Sequence, residues 1–335
     1  MKLQILVPQY NETDEVIKPL LDSIAMQQNV DFGEVGVIIC NDGSDVHLSD
    51  KLLRSYPFDV QYCLLPHGGV SAARQACLDR AEAEYVMFCD ADDMFFNLCG
   101  LWIIFREMRG AGFDTLTSVF VEETRSPESG EPIYLNHDMD STFVHGKVHR
   151  RRFLIENNIR WNAALTVHED SYFNILCRSL CANAKYCPTP FYLWRWRGES
   201  VCRHDPQYIL KTYGDMLRSS DALTGELLRR GRRGAAQSVC AGMVFDAYYS
   251  MNTERWLSRG SRKYREATER RFGEYYKKYR DIFESMDAAE RSTVSAAVRS
   301  RKVAEGMDME RVTFDDWIRR VTAPRGAGRR VCCRK

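Results

Sequence analysis

Tyr85-Val86-Met87-Phe88-Cys89-Asp90-Ala91-Asp92-Asp93 joins five apolar residues to a tip that carries three carboxylates. A short apolar run bounded by polar residues predicts a strand buried on both faces, as in a parallel sheet. Open α/β sheets take their ligands beyond the carboxyl ends of such strands. Carboxylates gathered there repel one another unless something positive lies between them. Asp-x-Asp in that place suits a hard divalent cation, Mn²⁺ or Mg²⁺, held by oxygen ligands and gripping a diphosphate. An acidic surface turn is the competing reading of an isolated Asp-Ala-Asp, so the surrounding segments decide.

Upstream, strands alternate with helical patterns. Leu3 to Val7 predicts a strand, followed by a helix with Val16, Ile17, Leu20, Leu21 and Ile24 on one face. Strands at Val35 to Cys40 and Val60 to Leu65 come next, then a helix from Ser71. This alternation predicts an α/β fold, with a mostly parallel sheet, helices on its faces and right-handed crossovers. Phe113 to Val121 and Phe191 to Trp196 read as further strands of mixed direction. Beyond residue 206 the pattern turns helical, over Tyr208 to Arg230, Ala235 to Leu257, Lys263 to Met286 and Asp308 to Val321. The expected organisation is therefore an α/β domain over 1–205 and a basic α-helical domain over 206–335.

The chain has 335 residues and a net charge of +1, which hides an asymmetry. Residues 211–335 hold 28 Lys and Arg against 17 Asp and Glu, while the rest of the chain is acidic. A basic surplus without long like-charge blocks fits a polyanionic partner, whether nucleic acid, anionic glycan or lipid surface. Solvated faces of packed helices fit it as well. No basic and apolar leader precedes Leu3, and no uncharged apolar run approaches the roughly 18 residues of a membrane span. Twelve cysteines without paired Cys-x-x-Cys spacing predict reduced thiols and a cytoplasmic location.

Four segments fall where a nucleotide-diphosphate site needs them. Pro8-Gln9-Tyr10-Asn11-Glu12 ends the first strand, where proline is expected to stop pairing and leave Tyr10 at the sheet edge. Tyr10 can stack on a base or pack half-buried. Asn41-Asp42-Gly43-Ser44 ends the second buried strand; Asp42 can accept from a base or ribose, or simply close an Asx turn. Gly69-Val70-Ser71-Ala72-Ala73-Arg74 opens a helix with Ser71 as the expected N-cap and Arg74 in its first turn. His168-Glu169-Asp170 leads into an apolar helix, where carboxylates also serve as plain N-terminal charges.

In this order and spacing, the Pro8–Glu12, Asn41–Ser44, Gly69–Arg74, Asp90–Asp93 and Glu169-Asp170 segments resemble family 2 glycosyltransferases, inverting enzymes of the GT-A fold. Phe143-Val144-His145-Gly146-Lys147-Val148 with Arg152-Phe153-Leu154 is similar to the stretch before that family's Glu-Asp motif. The resemblance covers residues 1 to about 205 and implies the following roles. Asp42 would contact the uracil or ribose of a UDP-sugar, with Pro8, Tyr10, Glu12 and Arg74 completing the nucleotide pocket. Asp90 and Ala91 would lie at the ribose, and Asp92 would ligate the metal. Asp170 would be the general base for the acceptor hydroxyl, with Glu169 orienting acceptor or sugar. Arg195, Arg197 and Ser200 resemble a loop that closes over the donor phosphates, and His204 is a further candidate metal ligand. His67 departs from the asparagine common at its position.

Two acceptors follow from that resemblance. One is a cell-surface glycan, glycolipid or teichoic-type polymer, with peripheral contact at the inner membrane face. The other is a hydroxylated base in bacteriophage-type DNA, modified in a host cytoplasm. A rival of another class, a non-catalytic nucleotide-sugar-binding module, would be expected to lose the metal carboxylate or the base. Both Asp92 and Asp170 are present.

Overall fold

The computed structural model describes residues 1–198, 212–253, 256, 261–304, 306 and 312–323. The chain divides into two compact units, Met1–Ser200 and Val201–Lys335.

The first unit is built on a nine-stranded mixed sheet. Strands β1 (Leu3–Gln9), β2 (Val35–Asp42), β3 (Asp59–Leu65) and β4 (Tyr85–Phe88) run parallel. Beyond them lie β5 (Met94–Phe95), β6 (Thr115–Arg125), β7 (Pro132–His137), β8 (Lys147–Arg150) and β9 (Ala184–Trp194). The order is β3-β2-β1-β4-β8-β6-β9-β5, with β7 paired to β6. The pairs β4–β8, β6–β8, β6–β7 and β5–β9 are antiparallel, whereas β6 and β9 run parallel. The mixed sheet expected from the alternation is therefore present, with its antiparallel members all after β4.

Both faces of β2 and β4 are buried throughout, which is why they read as continuous apolar runs. Helix α1 (Asp14–Ala25) buries Ile17, Leu20, Leu21 and Ile24 against the sheet. Each such side chain contributes about 1.5–3 kcal/mol of transfer free energy on burial. Pro8 does not end the first strand, because β1 continues to Gln9 with Pro8 opposite Cys40 of β2. The Leu6 carbonyl accepts from Cys89 N on the β4 side, where pairing then ceases. Pro8, two residues on, turns its missing N–H to that same, already vacated side.

The second unit, among the described residues, contains helices Tyr213–Arg229, Arg233–Met251, Arg262–Glu284, Ala288–Ala304 and Phe314–Thr322. The aromatics that interleave with its charges form its core: Trp256, Phe272, Tyr275, Tyr279 and Trp317 are all buried. At its centre Asp246 receives Tyr213 Oη at 2.7 Å and is paired with Arg301 at 2.7 Å and Lys302 at 3.0 Å. Gly273 lets helix Arg262–Glu284 approach Phe314–Thr322 closely. A Cβ there would run into the Val321 carbonyl oxygen, with its carbon at 3.0 Å. Gly273→Ala is expected to destabilise this unit by about 2 kcal/mol, the usual scale of overpacking. Thermal unfolding followed by circular dichroism checks this, and an unchanged transition would rule out the close approach. No helix among the described residues is long and apolar enough to cross a membrane.

Candidate active site

The carboxyl ends of β1, β2 and β4 carry the chemistry-bearing residues. Past β4 the chain turns back at once, with Asp93 N donating to the Asp90 carbonyl. Ala91 is buried, as its small side chain allows. Asp93 is buried too, its carboxylate accepting from Tyr192 Oη at 2.5 Å and Arg195 N at 2.9 Å. Burial, and after it the charges of Asp92 and Asp90, push Asp93 well above the usual carboxylate range. A cation among these groups would reverse that direction.

Asp90 is held differently. Arg74, on helix α3 (Val70–Arg80), donates to Asp90 Oδ1 at 2.7 Å and to Glu169 Oε1 at 2.8 Å. Arg74 is itself buried, with its guanidinium 4.9 Å from the centre of the Trp161 ring. Burial opposes the charge on Asp90, but Arg74 outweighs it and holds that carboxyl below its ordinary value. Arg74 thus lies behind the site and braces it. The resemblance assigns Arg74 to the nucleotide pocket; its guanidinium is held between the Asp90 and Glu169 carboxylates. Ser71 is likewise not the N-cap. Gly69 holds that place, and Ser71 Oγ donates to the Leu165 carbonyl at 2.9 Å, tying α3 to the loop before the Glu-Asp pair.

That pair opens the helix Glu169–Leu180, here α6 (α4 being Gly100–Met108 and α5 Arg151–Glu156). His168, at the cap position, takes a left-handed φ of 61°. A non-glycine residue there stores about 1–2 kcal/mol of backbone strain. Asp170 is partly buried, and burial, then the neighbouring Glu169 charge, push its carboxyl up to about 7. A carboxylate of that basicity is matched to proton abstraction near neutral pH.

On the other side, Tyr10 and Glu12 extend from β1. Glu12 Oε2 accepts from Tyr10 N at 2.6 Å, so this carboxylate fixes the turn that carries the aromatic. Tyr10 is half exposed, its ring centre 4.8 Å from that of His67. Asp42 is buried and accepts from Gly68 N at 2.7 Å and Gly69 N at 2.8 Å. Gly43, at φ 69°, lets the His67 backbone pass so near that a Cβ would sit 2.6 Å from His67 N.

Of the sequence candidates for the metal, Asp92 is part-exposed and paired with Arg197 Nη1 at 3.0 Å. Arg195 Nη1 donates to the Asp92 carbonyl at 3.1 Å. Ser200 and His204 lie outside the described residues. The group whose ligand atoms come together, all within 4.8 Å, is Asp90, Asp93 and His145. Burial lowers His145 to about 3, so the imidazole is neutral. Its Nδ1 is buried without a hydrogen-bond partner, 3.8 Å from Asp93 Oδ2. Two carboxylates and a neutral imidazole form a donor set that fits Mn²⁺. Neither Asp93 nor His145 stood out as a ligand in the sequence. Asp93 reads as one more acid in the turn, and His145 lies in the family-like segment Phe143–Val148, where nothing local marks it as a ligand.

A mixed sheet with acidic, aromatic and glycine-rich turns at its carboxyl edge, and a carboxylate pair on a facing helix, is the arrangement of a GT-A glycosyltransferase. Residues 4–98 match the family model of glycosyl transferase family 2. The Staphylococcus aureus poly(ribitol-phosphate) beta-N-acetylglucosaminyltransferase TarS is 26% identical over 188 residues, covering 52% of this chain and 32% of TarS. The Staphylococcus epidermidis teichoic acid poly(glycerol phosphate) polymerase is 38% identical over 96 residues, or 28% of this chain and 13% of the polymerase. The crystal structure of S. aureus TarS 1–349 in complex with UDP-GlcNAc superposes with a TM-score of 0.65. It covers 96% of this chain and 90% of that one at 17% identity, so it shows the fold. The family match is confined to residues 4–98, and the chain spans about a third of TarS and less of the polymerase.

Proposed function

We propose that this chain is a metal-dependent, inverting glycosyltransferase that moves a sugar from a UDP-sugar to a hydroxyl of a cell-surface glycan polymer, a polyol phosphate above all. The observation that carries this reading is Arg74. One buried guanidinium joins Asp90, at the acidic tip, to Glu169, beside the raised carboxyl of Asp170. Groups suited to gripping a diphosphate and to removing a proton are thereby fixed within one network. The names of the related proteins, a poly(ribitol-phosphate) transferase and a poly(glycerol phosphate) polymerase, support the acceptor class.

Asp90, Asp93 and His145, with Asp92 on the exposed side, would hold the divalent ion, which supplies Lewis-acid stabilisation of the leaving diphosphate. Tyr10 covers a base, and Arg195 and Arg197, already at Asp92, add charge-assisted contacts to the phosphates. Asp170 takes the proton of the acceptor hydroxyl as that oxygen attacks C1. A single base without a covalent intermediate gives one displacement, hence inversion of the anomeric centre. We assign residues 1–205 to this chemistry and the basic residues 206–335 to the anionic acceptor.

The test is UDP release from UDP-GlcNAc, UDP-glucose and UDP-galactose with Mn²⁺, offered ribitol- or glycerol-phosphate polymer or hydroxymethylated DNA. Release that needs the polymer and is abolished by EDTA is expected. Release with DNA alone would replace the acceptor assignment, and no UDP release or UDP binding under any condition would overturn the reading.

A further inference from the structure

We propose that a cavity in the second unit holds a stretch of polyol phosphate chain and so anchors the acceptor polymer; this rests on the acceptor reading above. The cavity lies between helices Arg262–Glu284 and Phe314–Thr322, which supply all of its lining residues. The same two helices touch where Gly273 meets the Val321 carbonyl, and that close approach fixes their spacing. The volume, about 480 Å³, falls in the range of small-ligand sites. Tyr276, Phe314 and Ile318 form an apolar wall, the first buried and the other two half-buried. Lys277, Arg280 and Arg319 bring positive charge, and Glu284 and Asp315 bring carboxylates.

The pairing of these charges decides what the cavity can take. Arg280 Nε donates to Glu284 Oε1 at 2.8 Å, and Arg319 is paired with Asp316. Both pairs are well exposed. Such pairs contribute little, so Arg319 can turn to a ligand phosphate at small cost. Lys277 and Asp315 have no partner among the described residues. A free ammonium and a free carboxylate in one cavity suit a ligand that carries both an anion and a hydrogen-bond donor. Bare polyanions do not. Inorganic polyphosphate and the sugar-phosphate backbone of DNA offer only acceptor oxygens along the chain, and the carboxylates repel them. A polyol phosphate alternates phosphates with hydroxyls. Its phosphate meets Lys277 and Arg319 in charge-assisted contacts, and its hydroxyls donate to Asp315 and Glu284. The carbon chain between them packs on the apolar wall.

Titration calorimetry with a glycerol phosphate oligomer, inorganic polyphosphate of equal charge and single-stranded DNA, on wild type, Lys277→Met and Asp315→Ala, tests this directly. Both positions are exposed, and circular dichroism melts check that the variants fold. Wild type is expected to bind the glycerol phosphate oligomer most tightly. Lys277→Met should lose about tenfold in that affinity. Asp315→Ala should lose about tenfold in its preference for the oligomer over polyphosphate, because the hydroxyl contact and the repulsion of bare phosphate vanish together. Wild type that binds polyphosphate or DNA as tightly as the oligomer, or binds no oligomer, overturns the proposal. An oligomer affinity unchanged in Lys277→Met, or a preference unchanged in Asp315→Ala, does the same. In each case the acceptor reading stands if UDP release still requires the polymer. Wild type whose UDP release is indifferent to the polymer overturns the acceptor reading, and this inference with it.

Discussion

Asp170→Asn should lower sugar transfer by about 10²–10⁴-fold while leaving nucleotide binding nearly unchanged, the loss typical of removing a positioned general base. In the wild type, kcat/KM should rise with pH, about tenfold per unit below the Asp170 pKa near 7, and level off above it. The same group makes an independent prediction about stability. An acid whose folded pKa is raised holds a proton that the unfolded chain releases, so its favourable contribution is complete below about pH 4 and disappears as pH climbs through about 7. Asparagine does not titrate. The variant should therefore be more stable than wild type at pH 8, by about 1–2 kcal/mol once partial solvent screening is allowed for, with the margin vanishing near pH 4. Thermal unfolding at the two pH values, beside the rate profile, measures both effects. A variant that transfers sugar within a few-fold of wild type would remove Asp170 from the role of base, and an equal margin at both pH values would remove the raised pKa.

In the sequence the site could be found only piece by piece. Each piece has an ordinary structural use as well. Asp42 does close a turn, here by accepting from Gly68 and Gly69, and Glu12 does hold the backbone of Tyr10. Strands β1 to β4 were legible because burial on both faces leaves unbroken apolar runs such as Val35 to Cys40. Strand β7 was not, because Pro132 to Leu135 are exposed and Ile133, Tyr134 and Leu135 show no alternation of burial. Helix Ala288–Ala304 was missed for a related reason. Only Val298 and Lys302 are buried on it, so it lacks the apolar stripe that marks a helix in sequence. His145 became visible only when β8 and β9 brought its ring 4.8 Å from Tyr192 and its Nδ1 to Asp93. Contacts between residues so far apart in the chain leave no local periodicity to read.

Arg74→Met should be the most destabilising single change in the first unit. Methionine keeps much of the volume beside Trp161 but leaves Asp90 and Glu169 facing one another without their shared cation. Removing one partner of a buried ion pair costs about 3–5 kcal/mol, because the remaining charge stays desolvated. For a unit of this size that corresponds to a fall in Tm of roughly 10 °C. The deficit should depend on pH with a sign opposite to that of Asp170. Asp90 has a lowered pKa in the wild type, so the stability it contributes is present above the ordinary aspartate range and is lost as pH falls through the folded value. Acidification neutralises the stranded carboxylates of the variant, and the gap to wild type should close. Arg74→Lys should recover only part of the loss, since one ammonium cannot reproduce two divergent contacts at 2.7 and 2.8 Å from a planar fork. Calorimetric melts of the three proteins at pH 7.5 and pH 4.5 decide the matter. A methionine variant that melts within two degrees of wild type at pH 7.5 would show that this arginine does not brace the acidic tip against the helix bearing the base, and the observation that joins the two halves of the site would be lost.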